Sequence, residues 1–167
     1  MNKRSKINVA LLALIALVAA LLFLTTGKQE AEQQTSVSAI DKAGITSISI
    51  TRTGRDALHF SKKGNAWQMV SPRPARANQT RINAILSVLQ AHSYTQLDAG
   101  KMDLNRFDLV HPAVTLTLND FEFRFGGSNP LEGRRYLLFQ HTIHLIDDGL
   151  FEQLQQPAEF FIQSSPE

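Results

Sequence analysis

Eighteen consecutive residues, Ile7 to Leu24, read INVALLALIALVAALLFL and carry a single polar side chain, Asn8. At about 1.5 Å rise per residue such a run makes a helix of roughly 27 Å, close to the hydrocarbon thickness of a bilayer. A helix packed into a small soluble domain keeps a polar stripe, and this run has none. A cleaved secretory signal shares the basic start, but its apolar stretch is about 7–15 residues and closes on a small-x-small site. Here the run is longer and passes through Leu22-Phe23-Leu24 into Thr25-Thr26-Gly27 with no Ala-x-Ala at its boundary. The residues therefore predict an uncleaved signal-anchor. Lys3, Arg4 and Lys6 precede it and predict a cytoplasmic N-terminus by the positive-inside bias. Residues 1–6 are then a cytoplasmic basic tail and 7–24 the single membrane span. The remainder is expected on the periplasmic side of a bacterial inner (plasma) membrane.

The anchor also distorts the bulk properties. The chain has 167 residues and a formal charge of +2, but from Lys28 onward 14 basic residues face 15 acidic ones. A nucleic-acid partner is not indicated by that balance. Cysteine is absent, which excludes a disulfide framework, a thiolate nucleophile and cysteine-ligated zinc.

Beyond the apolar run, residues 25–43 are Gln-, Glu- and Ser-rich and read as a polar tether. From there to residue 156 the pattern predicts one α+β domain, in which a helix covers a small antiparallel sheet in the order β-β-β-α-β-β-β-β-α. Ile45, Ile48 and Ile50 begin a strand, and Leu58 and Phe60 follow the turn-like Thr53-Gly54-Arg55-Asp56. Lys62-Lys63-Gly64-Asn65 is a second turn, leading to Ala66–Val70. Ser71-Pro72-Arg73-Pro74 interrupts, because proline cannot donate to a ladder. Ile82, Ile85, Leu86 and Leu89 then fall at i, i+3, i+4 and i+7, one stripe of a helix that Asn78 or Thr80 would cap. Val114, Leu116 and Leu118 alternate, as do Phe121, Phe123 and Phe125, with Thr115, Thr117, Glu122 and Arg124 on the opposite face. Gly126-Gly127-Ser128-Asn129-Pro130 reads as a hairpin loop. Arg135–Gln140 and Thr142–Asp147 read as a last hairpin, Gly149–Leu154 as a short helix, and 157–167 as a C-terminal tail.

An isoleucine strand, a hairpin, the lone Trp67, a proline break and a helix precede Leu104-x-x-Phe107-x-Leu109-x-x-Pro112, a further strand and a late Tyr136. In that order they resemble the bacterial domain of unknown function 4340 family, from about Ala43 to Leu154. In the family this stretch usually reads more like Gly-Leu-x-x-Pro, and Asp108 and Val110 are where the chain departs from the family pattern. The resemblance implies a membrane-anchored protein, and some relatives accompany transport systems of the cell envelope. It carries no catalytic residues.

The chemistry-bearing residues are dispersed. His59, His92, His111, His141 and His144 match no HExxH or other dense ligand set, so no metal site and no cofactor is expected. There is no Gly-x-Ser-x-Gly elbow. Asp147-Asp148 reads as a solvated turn capping the helix from Gly149. Trp67, Phe121 and Phe123 are a candidate aromatic pocket, although strand aromatics at period two generally serve the core.

Charge is more informative. Residues 42–81 hold eight basic residues and one acid, whereas 82–167 hold five basic and eleven acidic residues. Either the halves neutralise each other across the sheet, or Arg73, Arg76 and Arg81 form an interaction patch for anionic lipid or an acidic protein. The expected function is a non-catalytic, membrane-anchored interaction or accessory module of the bacterial cell envelope, with an envelope protein as partner. The alternatives are a small-molecule or glycan-binding periplasmic domain and, at greater distance, an envelope hydrolase.

Overall fold

Ile48 and Ile50 point to one side of an extended segment while Ser47, Ser49 and Thr51 point to the other, and this alternation organises the domain. The structure, a computed structural model, describes residues 36–163. The expected cytoplasmic tail at 1–6, the expected anchor at 7–24 and the start of the expected tether lie outside the described residues. Among the described residues no helix is long and apolar enough to cross a membrane.

Nine strands make one sheet: β1 (Ser47–Arg52), β2 (Arg55–Lys63), β3 (Ala66–Ser71), β4 (Ala75–Arg76), β5 (Thr95–Asp98), β6 (Val114–Leu118), β7 (Phe121–Asn129), β8 (Arg134–Phe139) and β9 (Thr142–Asp147). Their spatial order is β4-β3-β2-β1-β6-β7-β8-β9-β5, and every pairing is antiparallel. The first four strands meander outward from the centre. Helix α1 (Gln79–Leu86) follows, and β5 is laid at the far edge. The chain then returns beside β1 and meanders outward again until β9 meets β5.

The expected antiparallel sheet with few helices is present, with two strands more than the alternation revealed. Both extra strands, β4 and β5, are short edge elements. Asn78 caps α1, accepting from the Thr80 and Arg81 amides at 3.1 and 3.3 Å. The α1 stripe Ile82, Ile85 and Leu86, with Leu89 in the 3-10 turn that follows, is buried. At about 2 kcal/mol per buried aliphatic side chain, this burial rather than intrinsic propensity holds so short a helix. α2 (Gly149–Leu154) lies where the sequence places it.

One face of the sheet carries the main core, with Ile48, Ile50, Phe60, Trp67, Leu116, Phe123 and Phe125 beneath α1, α2 and the 3-10 turn Ala158–Phe161. A second, smaller cluster lies on the other face. There Leu109, Leu138 and Ile143 pack with Leu97, Leu104, Phe107 and Tyr136, so the Leu104-x-x-Phe107-x-Leu109 segment is a cover over the β7–β9 end.

Three boundaries differ from expectation. Gly126 and Gly127 lie within β7 rather than in a loop, because the cover presses on them. A Cβ at Gly126 would fall 2.9 Å from Leu109 Cδ2 and closer still to the Phe107 carbonyl oxygen. Residues 158–162, read as part of the tail, are packed: Phe161 is fully buried and Ile162 bridges to Ala77 beside β4. Within the expected tether, Val37 is buried and its amide donates to the Ala91 carbonyl at 3.0 Å.

Candidate functional site

Period two along β1 carries inward from Ile48 and Ile50 to position 52, which is an arginine. Arg52 is 5% exposed, an unusual degree of burial for a guanidinium without a carboxylate partner. Its Nη1 donates to the Gln156 carbonyl at 2.5 Å and its Nη2 to the Asp56 carbonyl at 2.8 Å. Its buried Nε finds no acceptor among the described residues. Arg55 stands directly opposite across the β1–β2 pair, and its Nη1 donates to the Gln155 carbonyl at 2.5 Å. Gly54, at φ +71°, makes the turn that sets them opposite one another.

These two arginines line a groove of about 930 Å³ together with Asp56, Pro72, Pro157 and Glu159. The Arg52 pKa is lowered, first by burial and then by repulsion from Arg55, with the Asp56 carboxylate opposing in part. Guanidinium groups donate hydrogen bonds and do not exchange protons near neutral pH, so Arg52 and Arg55 are groups that bind rather than transfer a proton.

The arginines singled out in the sequence meet the same C-terminal segment. Arg73 pairs with Glu159 at 3.3 Å, both largely exposed. The Arg81 guanidinium lies over the Phe160 ring at 4.0 Å. The Arg76 carbonyl accepts from the Gln163 amide at 2.9 Å. The basic half thus encloses residues 155–163 largely through backbone carbonyls and an aromatic ring. Of the five ion pairs among the described residues, Arg73–Glu159 alone joins the basic half to the acidic half. The other four lie within the acidic half itself.

The aromatic candidates separate. Trp67 is a core residue whose backbone is held by Gln79, with Oε1 accepting from the Trp67 amide at 3.2 Å and Nε2 donating to its carbonyl at 3.3 Å. Phe123 is fully buried and stacks on Phe139 across the β7–β8 pair, centroids 4.4 Å apart. Phe121 is half-buried and lines a different cleft, of about 330 Å³, with Phe139 and Arg124. The three residues therefore do not line a common pocket.

The histidines and paired acids also diverge. His59, His111 and His141 are exposed, and His92 packs edge-on against Tyr94. His144 is buried. The Ser93 hydroxyl donates to the Thr95 carbonyl at 3.1 Å, so its oxygen accepts from His144 Nδ1 at 2.9 Å. Burial lowers the His144 pKa to about 4. Among the described residues no three His, Asp or Glu side chains gather as a metal-ligand set. Asp148 does not cap α2 through its side chain. Its carboxylate instead accepts from Arg135 Nε at 2.5 Å, while Arg135 also lies over the Phe151 ring. Asp147 accepts from the Tyr94 hydroxyl at 3.3 Å.

Arg52 and Arg55 were not among the residues expected to form a site. The signal for Arg52 was present, since extending the isoleucine alternation by one step puts a charge on the inward face. Nothing in the sequence announced that residues 155–159 would form the opposite wall. A family model described as Domain of unknown function (DUF4340) matches residues 67–166. No curated protein and no solved structure matches the chain.

Proposed function

The chain belongs to the DUF4340 family, and from that premise we propose that it is a membrane-anchored, non-catalytic interaction module of the bacterial cell envelope. The N-terminal apolar run holds it in the inner membrane by a single span, with the N-terminus in the cytoplasm and the α+β domain in the periplasm. Its partner is an acidic surface of another envelope protein, and nucleic acid is not among its ligands. What carries the reading is the uncompensated charge of one half. The Arg73–Glu159 pair is the only ion pair between the halves among the described residues, so the strands and helix from β1 to α1 keep their excess of cations for an outside partner.

The Arg52 and Arg55 guanidinium groups at the groove donate hydrogen bonds without exchanging protons near neutral pH, which supports recognition over catalysis. Fractionation of cells expressing the full chain tests the anchored reading. The protein should stay with the inner membrane through alkaline and high-salt washes, and protease added to spheroplasts should remove the C-terminal domain. Recovery in a soluble fraction, or protection of the domain from the protease, would defeat the proposal.

A further inference from the structure

Arg52 and Arg55 present a physical cost that no ion pair among the described residues offsets. Like charges directly opposite on neighbouring strands repel, and Arg52 is 5% exposed. A buried cation is ordinarily retained only with a partner of opposite charge. Here both guanidinium groups bond to neutral carbonyls, of Gln155, Gln156 and Asp56. Neither lies within ion-pair distance of a carboxylate among the described residues. Two carboxylates do line the same groove. Glu159 is engaged by Arg73, and Asp56 only partly offsets the burial and repulsion at Arg52. With Arg73 set against Glu159, three arginines and two carboxylates stand at this space of about 930 Å³, one cation in excess.

We propose that this groove is an oxyanion-binding site for a phosphoryl group, with Arg52 and Arg55 as its donors. A planar carboxylate is satisfied by one guanidinium fork. Two guanidinium groups brought together from adjacent strands suit an anion whose oxygens point in several directions, as those of phosphate do. The buried Arg52 supplies a positioned charge of low hydration, the exposed Arg55 stands opposite it across the β1–β2 pair, and Pro72 and Pro157 wall the space with little conformational freedom to lose. The phosphoryl group is either free phosphate or the headgroup of a phospholipid. The site adjoins the Arg73, Arg76 and Arg81 surface through Glu159 but does not depend on that surface docking a partner.

The test uses the full chain in nonionic detergent, with thermal unfolding followed by circular dichroism at constant ionic strength. One arm replaces chloride by inorganic phosphate. The other adds short-chain phosphatidylglycerol, with short-chain phosphatidylcholine as its control. A saturable rise of several degrees in the unfolding midpoint is expected in one arm. It should be abolished by Arg55→Gln, a change at an exposed side chain, and retained in Lys63→Gln, a cation on the same strand. A shift with phosphate alone identifies a free anion, and a shift specific to phosphatidylglycerol identifies a lipid headgroup. No shift in either arm, or equal shifts in wild type and Arg55→Gln, overturns the proposal.

Discussion

Arg73 and Glu159 stand 3.3 Å apart at the surface and form the single ion pair, among the described residues, between the basic segment 42–81 and the acidic remainder. Opposite charges in one chain usually find each other, yet the acidic half satisfies its own arginines instead. Arg124 pairs with Glu122, Arg134 with Glu132 and Arg135 with Asp148. The cations of segment 42–81 are left with that one ion pair to the other half, an arrangement that adds little to stability.

Converting Arg73, Arg76 and Arg81 together to glutamine is therefore expected to lower stability by only about 1 kcal/mol. That is the order of one exposed ion pair and one exposed cation–π contact. Urea unfolding of the triple variant measures this. A loss of several kcal/mol would show that the arginines serve the fold rather than a partner.

The cover over the second face predicts a different response. Gly126→Ala drives a methyl group into Leu109 and the Phe107 carbonyl, and about 2–3 kcal/mol of stability should be lost. Asp108 adopts φ 55°, the left-handed region, so Asp108→Gly should be close to neutral and Asp108→Val should cost more than about 1 kcal/mol. Equilibrium denaturation of the three variants orders them.

Asn119, at φ 51°, ties the start of β1 to the β6–β7 turn. Its Oδ1 accepts from the Thr46 and Ser47 amides at 3.0 and 3.1 Å, and its Nδ2 donates to the Gly44 carbonyl at 3.0 Å. Asn119→Ala loses these bonds and also the tolerance of positive φ, and should cost about 2–3 kcal/mol. Asn119→Gly keeps the backbone freedom and should cost less. Hydrogen exchange at Thr46 and Ser47 should quicken in both variants.

His144 makes stability depend on pH with a definite sign. Its pKa is about 4 when folded and about 6.5 in the unfolded chain, so the unfolded state binds the extra proton between those values. Stability therefore falls as pH drops from about 6.5 to about 4 and levels off below, by an amount on the order of 3 kcal/mol. In His144→Gln this part of the acid dependence should be missing from urea midpoints measured across that range. An unchanged pH profile would contradict the burial argument.

The elements legible in the sequence were those whose side chains alternate over several residues. Ile48 and Ile50, Leu116 and Leu118, and Phe123 and Phe125 marked strands, and Ile82, Ile85, Leu86 and Leu89 marked the helix. β4 and β5 were not legible, because two- and four-residue edge strands bury too little to leave a period. Gly126-Gly127 resembled a loop because glycine permits turns, whereas its use here is to let Phe107 and Leu109 approach the sheet. The arginine patch was legible as charge, but its surroundings were not. The enclosure of residues 155–163 and the groove beside Arg52 arise from contacts about a hundred residues apart, which no local pattern encodes.

Crosslinking in intact cells tests the central reading most directly. The full-length chain with a C-terminal affinity tag would be purified after crosslinking and the attached proteins identified by mass spectrometry, in parallel with the Arg73→Gln, Arg76→Gln, Arg81→Gln variant. Wild type is expected to capture a reproducible envelope protein with an acidic surface, reduced at least about tenfold in the variant, the factor equivalent to about 1.4 kcal/mol. Capture of no envelope protein beyond background, or equal capture by wild type and variant, would contradict that reading.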